Sequence, residues 1–96
     1  MISTHVLDTE QGRPAQGVRV QLYRGDELLA AKETDSDGRI RELAEVPDPG
    51  VYRLVFHPVS SPFFQRIEID ISVDGTGDLH VPLLLSPYAC ATYRGS

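Results

Sequence analysis

The sequence predicts an all-β fold, an antiparallel β-sandwich built from residues 1–96 as one domain. Three observations lead there. Apolar and polar residues alternate with period two in several short segments; clusters of Gly, Pro and Asp separate those segments at regular spacing; and nothing in the chain reads as a helical crossover. With 96 residues, 41% of them hydrophobic, a single core is feasible. About 65% of the unfolded surface can be buried at this size, so self-association is a natural way to bury more.

Taken in order, Thr4 to Leu7 is a first, weak strand candidate, followed by punctuation at Gly12 and Pro14. Val18, Val20 and Leu22 then alternate with Arg19, Gln21 and Tyr23, which marks a strand with one face in the core. After a turn at Gly25-Asp26, Leu28 to Thr34 is a second weak strand; Asp26 to Glu33 can also be drawn as a helix on the strength of its Ala pair. Asp37-Gly38 is the next turn. The cluster Pro47, Asp48, Pro49, Gly50 opens GVYRLVFH at 50–57, a strand rich in β-branched and aromatic residues.

Ile67, Ile69, Ile71 and Val73 alternate with Glu68, Asp70 and Ser72, and a turn at Asp74 to Gly77 follows. Leu79, Val81, Leu83 and Leu85 repeat the pattern, and Ala89 to Arg94 supplies a seventh strand candidate. His80, Pro82 and Leu84 form the outward face of their strand. That mixed face suits cover by a partner or a ligand, or else an exposed edge, where Pro82 is tolerated.

Nine Lys+Arg against fourteen Asp+Glu give a net charge of -5 and offer no basic field to a phosphate backbone, so nucleic acid is not an expected partner. The one cysteine, Cys90, excludes an intrachain disulfide and a CxxC redox pair. The first residues, MISTHVLDTEQGRP, lack the basic and apolar regions of a leader, and no long apolar run follows; a soluble, cytoplasmic protein without membrane contact is expected.

Among the histidines, His57 sits at a strand end before Pro58 and reads as an ordinary surface residue. His5 and His80 lie on strands beside apolar neighbours, where rigid backbone can orient an imidazole for acid–base work. Two histidines without a third ligand in spacing leave a zinc site open but poorly supported, because catalytic zinc usually takes three protein ligands and an open position. Asp35-Ser36-Asp37-Gly38-Arg39 opens like a calcium loop, but the twelfth position is Val46 rather than a bidentate Glu, which leaves an Asx-type turn with Gly38 at positive φ. Arg39 emerges just past that turn as a solvated charge or a clamp for an anionic or carbonyl-rich ligand. Nucleophile-elbow, Walker and HExxH motifs are absent.

STHVLDTEQGRPAQGVRVQLYR (3–24), TDSDGR (34–39) and HVPLLLSPYACATYRGS (80–96) together resemble the 5-hydroxyisourate hydrolases, transthyretin-like enzymes of urate breakdown. The middle of the chain also resembles the generic prealbumin-like sandwich of carboxypeptidase-associated and surface-protein domains. THVLD, HVPLLLSP and the closing TYRGS are the specific part. The resemblance implies a prealbumin/transthyretin-like sandwich and a homotetramer with sites in the channel between dimers. It implies a small oxidised purine as substrate, no cofactor and no metal. It places His5, Arg39, His80 and Ser96 in catalysis, and His5, Arg39, Tyr93, Arg94 and Gly95 in substrate binding.

Under that resemblance His5 and His80 position and deprotonate a water, Arg39 stabilises the attacked carbonyl, and Tyr93 binds substrate. Arg94 and Ser96 fix the tail or offer a hydroxyl and carboxylate. The chain departs from the family in two places. Only His57 to Gln65 stands where a longer insert with a short helix is usual, with Phe63-Phe64 as a remnant of its aromatic pair, and the helix stays open at this length. Ala89 and Cys90 replace a glycine and an aromatic before the ending. A non-catalytic prealbumin-like module or a small-molecule carrier is the alternative.

Overall fold

The computed structural model describes residues 1–45, 48–59 and 61–96. Within them lie β1 (Ile2–Asp8), β2 (Arg13–Pro14), β3 (Arg19–Arg24), β4 (Glu27–Glu33), β5 (Arg39–Ala44), β6 (Gly50–His57), β7 (Ile67–Val73), β8 (Leu79–Leu85) and β9 (Cys90–Thr92). One sheet runs β2-β1-β8-β9, with β5 also paired to β1; the other runs β4-β3-β6-β7. The two stack as a sandwich, and every regular element among the described residues is a strand. Val46 and Pro47, placed by the sequence at the twelfth loop position and in the turn before GVYRLVFH, lie outside the described residues, as does Ser60.

Alternation carries the core. Ile2, Val6, Leu79, Val81 and Leu83 of one sheet meet Val20, Leu22, Tyr52, Leu54 and Phe56 of the other, all buried. Each such side chain contributes about 1.5–3 kcal/mol on leaving water. Two buried threonines are satisfied: Thr4 Oγ1 donates to Val81 O at 2.6 Å, and Thr34 Oγ1 donates to Ala15 O at 2.7 Å while accepting from Val18 N at 2.9 Å.

The segment from Asp26 to Glu33 is not a helix but contains β4, an edge strand hydrogen-bonded to β3. Its blurred pattern comes from a register shift, since Leu22 faces Ala30 and Tyr23 faces Leu28, which leaves Leu29 as an extra residue. β5 is a strand that alternation did not reveal, and again for a bulge: Ile2 pairs with Ala44 and Thr4 with Ile40, so the buried Ile40 and Leu43 fall three apart instead of two. β8 is not an edge strand but lies between β1 and β9, and its pairing with β1 is parallel, whereas the other pairs are antiparallel. The whole second sheet separates β1 from β8 in the chain, so no hairpin forces them antiparallel.

Candidate active site

The parallel register of β1 and β8 places Ser3 opposite His80 and His5 opposite Pro82. On its other side β1 meets β5, with His5 opposite Arg39. Because Ile2, Thr4, Val6, Val81 and Ile40 point into the core, the alternate residues Ser3, His5, His80 and Arg39 share the outer face of the five-stranded sheet, all half-buried. Three strands distant in sequence thus deliver two imidazoles and a guanidinium to one patch.

The turn before β5 sets the position of Arg39. Asp35 Oδ1 accepts from the backbone N–H of Asp37 at 2.9 Å and of Arg39 at 3.0 Å. The Arg39 N–H in particular holds the Asp35 carboxyl below its usual range. Gly38 has φ 73°, and a Cβ there would lie 2.5 Å from Val6 O, so only glycine lets the turn press against β1 beside His5. In that position Val6 N donates to Gly38 O at 2.8 Å.

The same turn orients His5, whose Nε2 lies 2.8 Å from Asp37 O. A carbonyl only accepts, so Nε2 carries the proton and donates, and in the neutral ring the Nδ1 lone pair is free. His80 is held from the other nitrogen, with Nδ1 2.8 Å from Ser3 Oγ. Burial first, and then the charges of Arg39 and His5, push the His80 pKa below the ordinary 6.5, which favours the neutral, proton-accepting form.

The tail reaches this patch through a broken ladder. β9 pairs with β8 at Leu83–Thr92, Leu84–Ala91 and Leu85–Cys90, and the His80–Gly95 bridge continues the same register. Between them Pro82 has no N–H to give, while its carbonyl accepts from Thr92 Oγ1 at 2.8 Å. Gly95 N then donates to His80 O at 2.7 Å. A Cβ on Gly95 would stand 2.7 Å from His80 Cδ2, so glycine is required for the tail to lie against the ring.

His5, Arg39, His80 and Gly95 are therefore brought together. Tyr93 and Arg94 instead line a cleft of about 240 Å³ between the sheets, beside Ile69, Ile71, Leu79 and Val81, and Arg94 lies near enough to Asp74 to help lower its pKa behind the hydrogen bonds from Thr76. Ser96 is exposed beyond the bridge. Ser3 was not singled out in the sequence: its place on the His5 face was legible from alternation, but its pairing with His80 needed the parallel register. Among the described residues no group of three or more His, Cys, Asp or Glu is placed to hold a metal ion, and no helix is long and apolar enough to cross a membrane.

A β-sandwich that carries paired histidines and an arginine on one sheet face, completed by its own closing residues, defines a transthyretin-type fold with the makings of a hydrolytic site. The chain belongs to the HIUase/Transthyretin family, whose match spans residues 2–95. A relative in Rhizobium meliloti, "5-hydroxyisourate hydrolase 2", is 42% identical over 99% of this chain and 95% of its own length. The structure of Klebsiella pneumoniae 5-hydroxyisourate hydrolase superposes with a TM-score of 0.88 at 37% identity, covering 99% of this chain and 97% of that one. Sea bream transthyretin in complex with thyroxine superposes with a TM-score of 0.86 at 26% identity, covering 98% and 93%.

Proposed function

We propose that the chain hydrolyses 5-hydroxyisourate to 2-oxo-4-hydroxy-4-carboxy-5-ureidoimidazoline, working as one hydrolase domain over residues 1–96 without a cofactor or metal. The observation that carries the reading is the convergence of His5, Arg39 and His80 on one sheet face, each imidazole with one nitrogen anchored and the other available. Water adds to a ring amide carbonyl as a histidine takes its proton. The carbon–nitrogen bond then breaks, and the proton passes to the departing ring nitrogen. General-base help of this kind is worth roughly 10²- to 10⁴-fold. Arg39 steadies the oxyanion and Gly95, against the His80 ring, borders the substrate, whereas Tyr93 and Arg94 face the cleft between the sheets and Ser96 stands exposed beyond the bridge.

The patch is an open face, and a homotetramer would roof it. Support for assembly comes from the edge strands β7 and β9, which stand on the same side of the sandwich with the mainly apolar 240 Å³ cleft between them. A second copy that extends both sheets would cover the partly buried Ile67, Ile69 and Ile71. Sedimentation should therefore give four chains. The compartment we assign is the cytoplasm, and fractionation of the source cells checks it.

The deciding experiment follows the ultraviolet decay of freshly made 5-hydroxyisourate against its spontaneous hydrolysis. Wild type should accelerate the decay, and His80→Ala should remove about 10²-fold or more of that acceleration. Folded, assembled wild type that does not beat the blank refutes the reading in favour of a binding module or carrier.

A further inference from the structure

We propose that Ser3 is a positioning residue that holds His80 in the Nδ1–H tautomer, so that the Nε2 lone pair is the acceptor of the proton from the attacking water. The acceptor role rests on the hydrolase reading above; the tautomer does not. Only one proton can lie between Ser3 Oγ and His80 Nδ1, 2.8 Å apart, and the two ways of placing it leave opposite chemistry at Nε2.

The surroundings of the hydroxyl decide between them. Ser3 Oγ has a second neighbour, Leu79 O, at 3.5 Å, and a carbonyl can only accept. If the hydroxyl donated to Nδ1, the Leu79 contact would stand idle and Nε2 would carry a proton. If Nδ1–H donates to Oγ, the hydroxyl proton turns to Leu79 O, and both contacts are used. This arrangement also survives catalysis. When Nε2 takes a proton, the Nδ1–H to Oγ bond stays in place, whereas the other arrangement would require the hydroxyl to rotate away from the new cation.

Gly95 supplies the second constraint, because it packs against the ring edge opposite Nδ1. A Cβ there would come within 2.7 Å of Cδ2 and 3.3 Å of Cγ, so the tail lies beside this edge of the ring only as glycine, and a side chain there would displace the ring from Ser3 or the tail from β8. Turning the ring over would bring carbon in place of nitrogen to Ser3 and lose the hydrogen bond. His5 provides the contrast within the same patch, since its Nε2–H is fixed by Asp37 O and its open nitrogen is Nδ1. Its partner admits one proton position, while the Ser3 hydroxyl permits two and selects one through Leu79.

Long-range proton–nitrogen correlation spectra of the ¹⁵N-labelled, substrate-free protein above pH 7 read the tautomer directly. Wild type should show His80 protonated at Nδ1. Ser3→Ala should shift the population toward Nε2–H and lower kcat about 10- to 100-fold with KM little changed, and Ser3→Thr should restore both. Turnover by a wild type with His80 protonated at Nε2, or a Ser3→Ala protein with unaltered tautomer and kcat, overturns this inference and leaves the hydrolase reading standing. Nδ1–H without turnover overturns the hydrolase reading, and the acceptor role with it.

Discussion

The two sheets each present a histidine and an arginine on their outer faces, and the partners differ. On the four-stranded sheet His57 Nε2 meets Gln21 Oε1 at 2.7 Å, while Arg53 lies over the Tyr23 ring at 5.0 Å and pairs with Glu68 at 3.5 Å. The buried Arg53 Nε has no aligned acceptor, so charge rather than a hydrogen bond holds that pair. On the five-stranded sheet a backbone carbonyl and a hydroxyl anchor the imidazoles, and among the described residues no carboxylate forms an ion pair with Arg39. The first face spends its charges on itself. The second fixes its groups with neutral partners and leaves their charge and lone pairs for a ligand.

The largest test of that difference is a pair of arginine substitutions. Arg39→Ala should cost about 10²- to 10³-fold in kcat/KM, the usual loss when an oxyanion stabiliser is removed. Arg53→Ala should leave the rate unchanged and lower stability by no more than about 1 kcal/mol, given an ion pair whose side chains are 35% and 45% exposed and one cation–π contact. Equal losses of rate in both variants would erase the distinction between the faces.

A smaller effect is expected from glycines. Gly95→Ala must push His80 or the tail, and a displacement near 1 Å can cost on the order of 10²-fold, so a loss of ten- to a hundred-fold in kcat is expected from a protein of near wild-type Tm. Gly38→Ala acts first through stability, at about 1–3 kcal/mol for the left-handed φ alone, and its clash on Val6 O also moves Arg39, so Tm and rate should fall together. Thermal unfolding run beside the rate assay separates the two.

Much of the sandwich was legible because its inward residues obey period two: β3, β6, β7 and β8 could be read from Val20, Leu54, Ile69 and Val81 and their neighbours. β4 and β5 were blurred because a bulge adds residues on one strand and shifts the alternation. The candidate site was assembled in the sequence only through resemblance. Composition and spacing could mark His5, Arg39 and His80 as candidates, but the register that joins them is a long-range pairing with no local signature. Ser3 shows the cost of this, since a serine two residues before a histidine means nothing until β8 lies alongside in parallel.

The smallest predicted effect concerns pH and probes whether the candidate face is electrostatically open. Burial, then Arg39, then His5 hold the His80 pKa below 6.5, so the neutral base persists as pH falls and the acid limb of kcat/KM lies below pH 6.5. Arg39→Gln removes one cation, and the His80 titration should move up without regaining 6.5, because burial, the larger cause, remains. The same shift links to folding. Above pH 6.5 neither state binds the proton and the histidine contributes no pH dependence; below it the unfolded chain binds first, so stability falls from pH 6.5 down to the lower folded pKa. Nuclear magnetic resonance titration of the His80 ring in both proteins measures the shift without substrate. A ring that titrates at or above 6.5 in wild type would mean that the face is wetter, or more acidic in its surroundings, than the placement of Arg39 beside His5 allows.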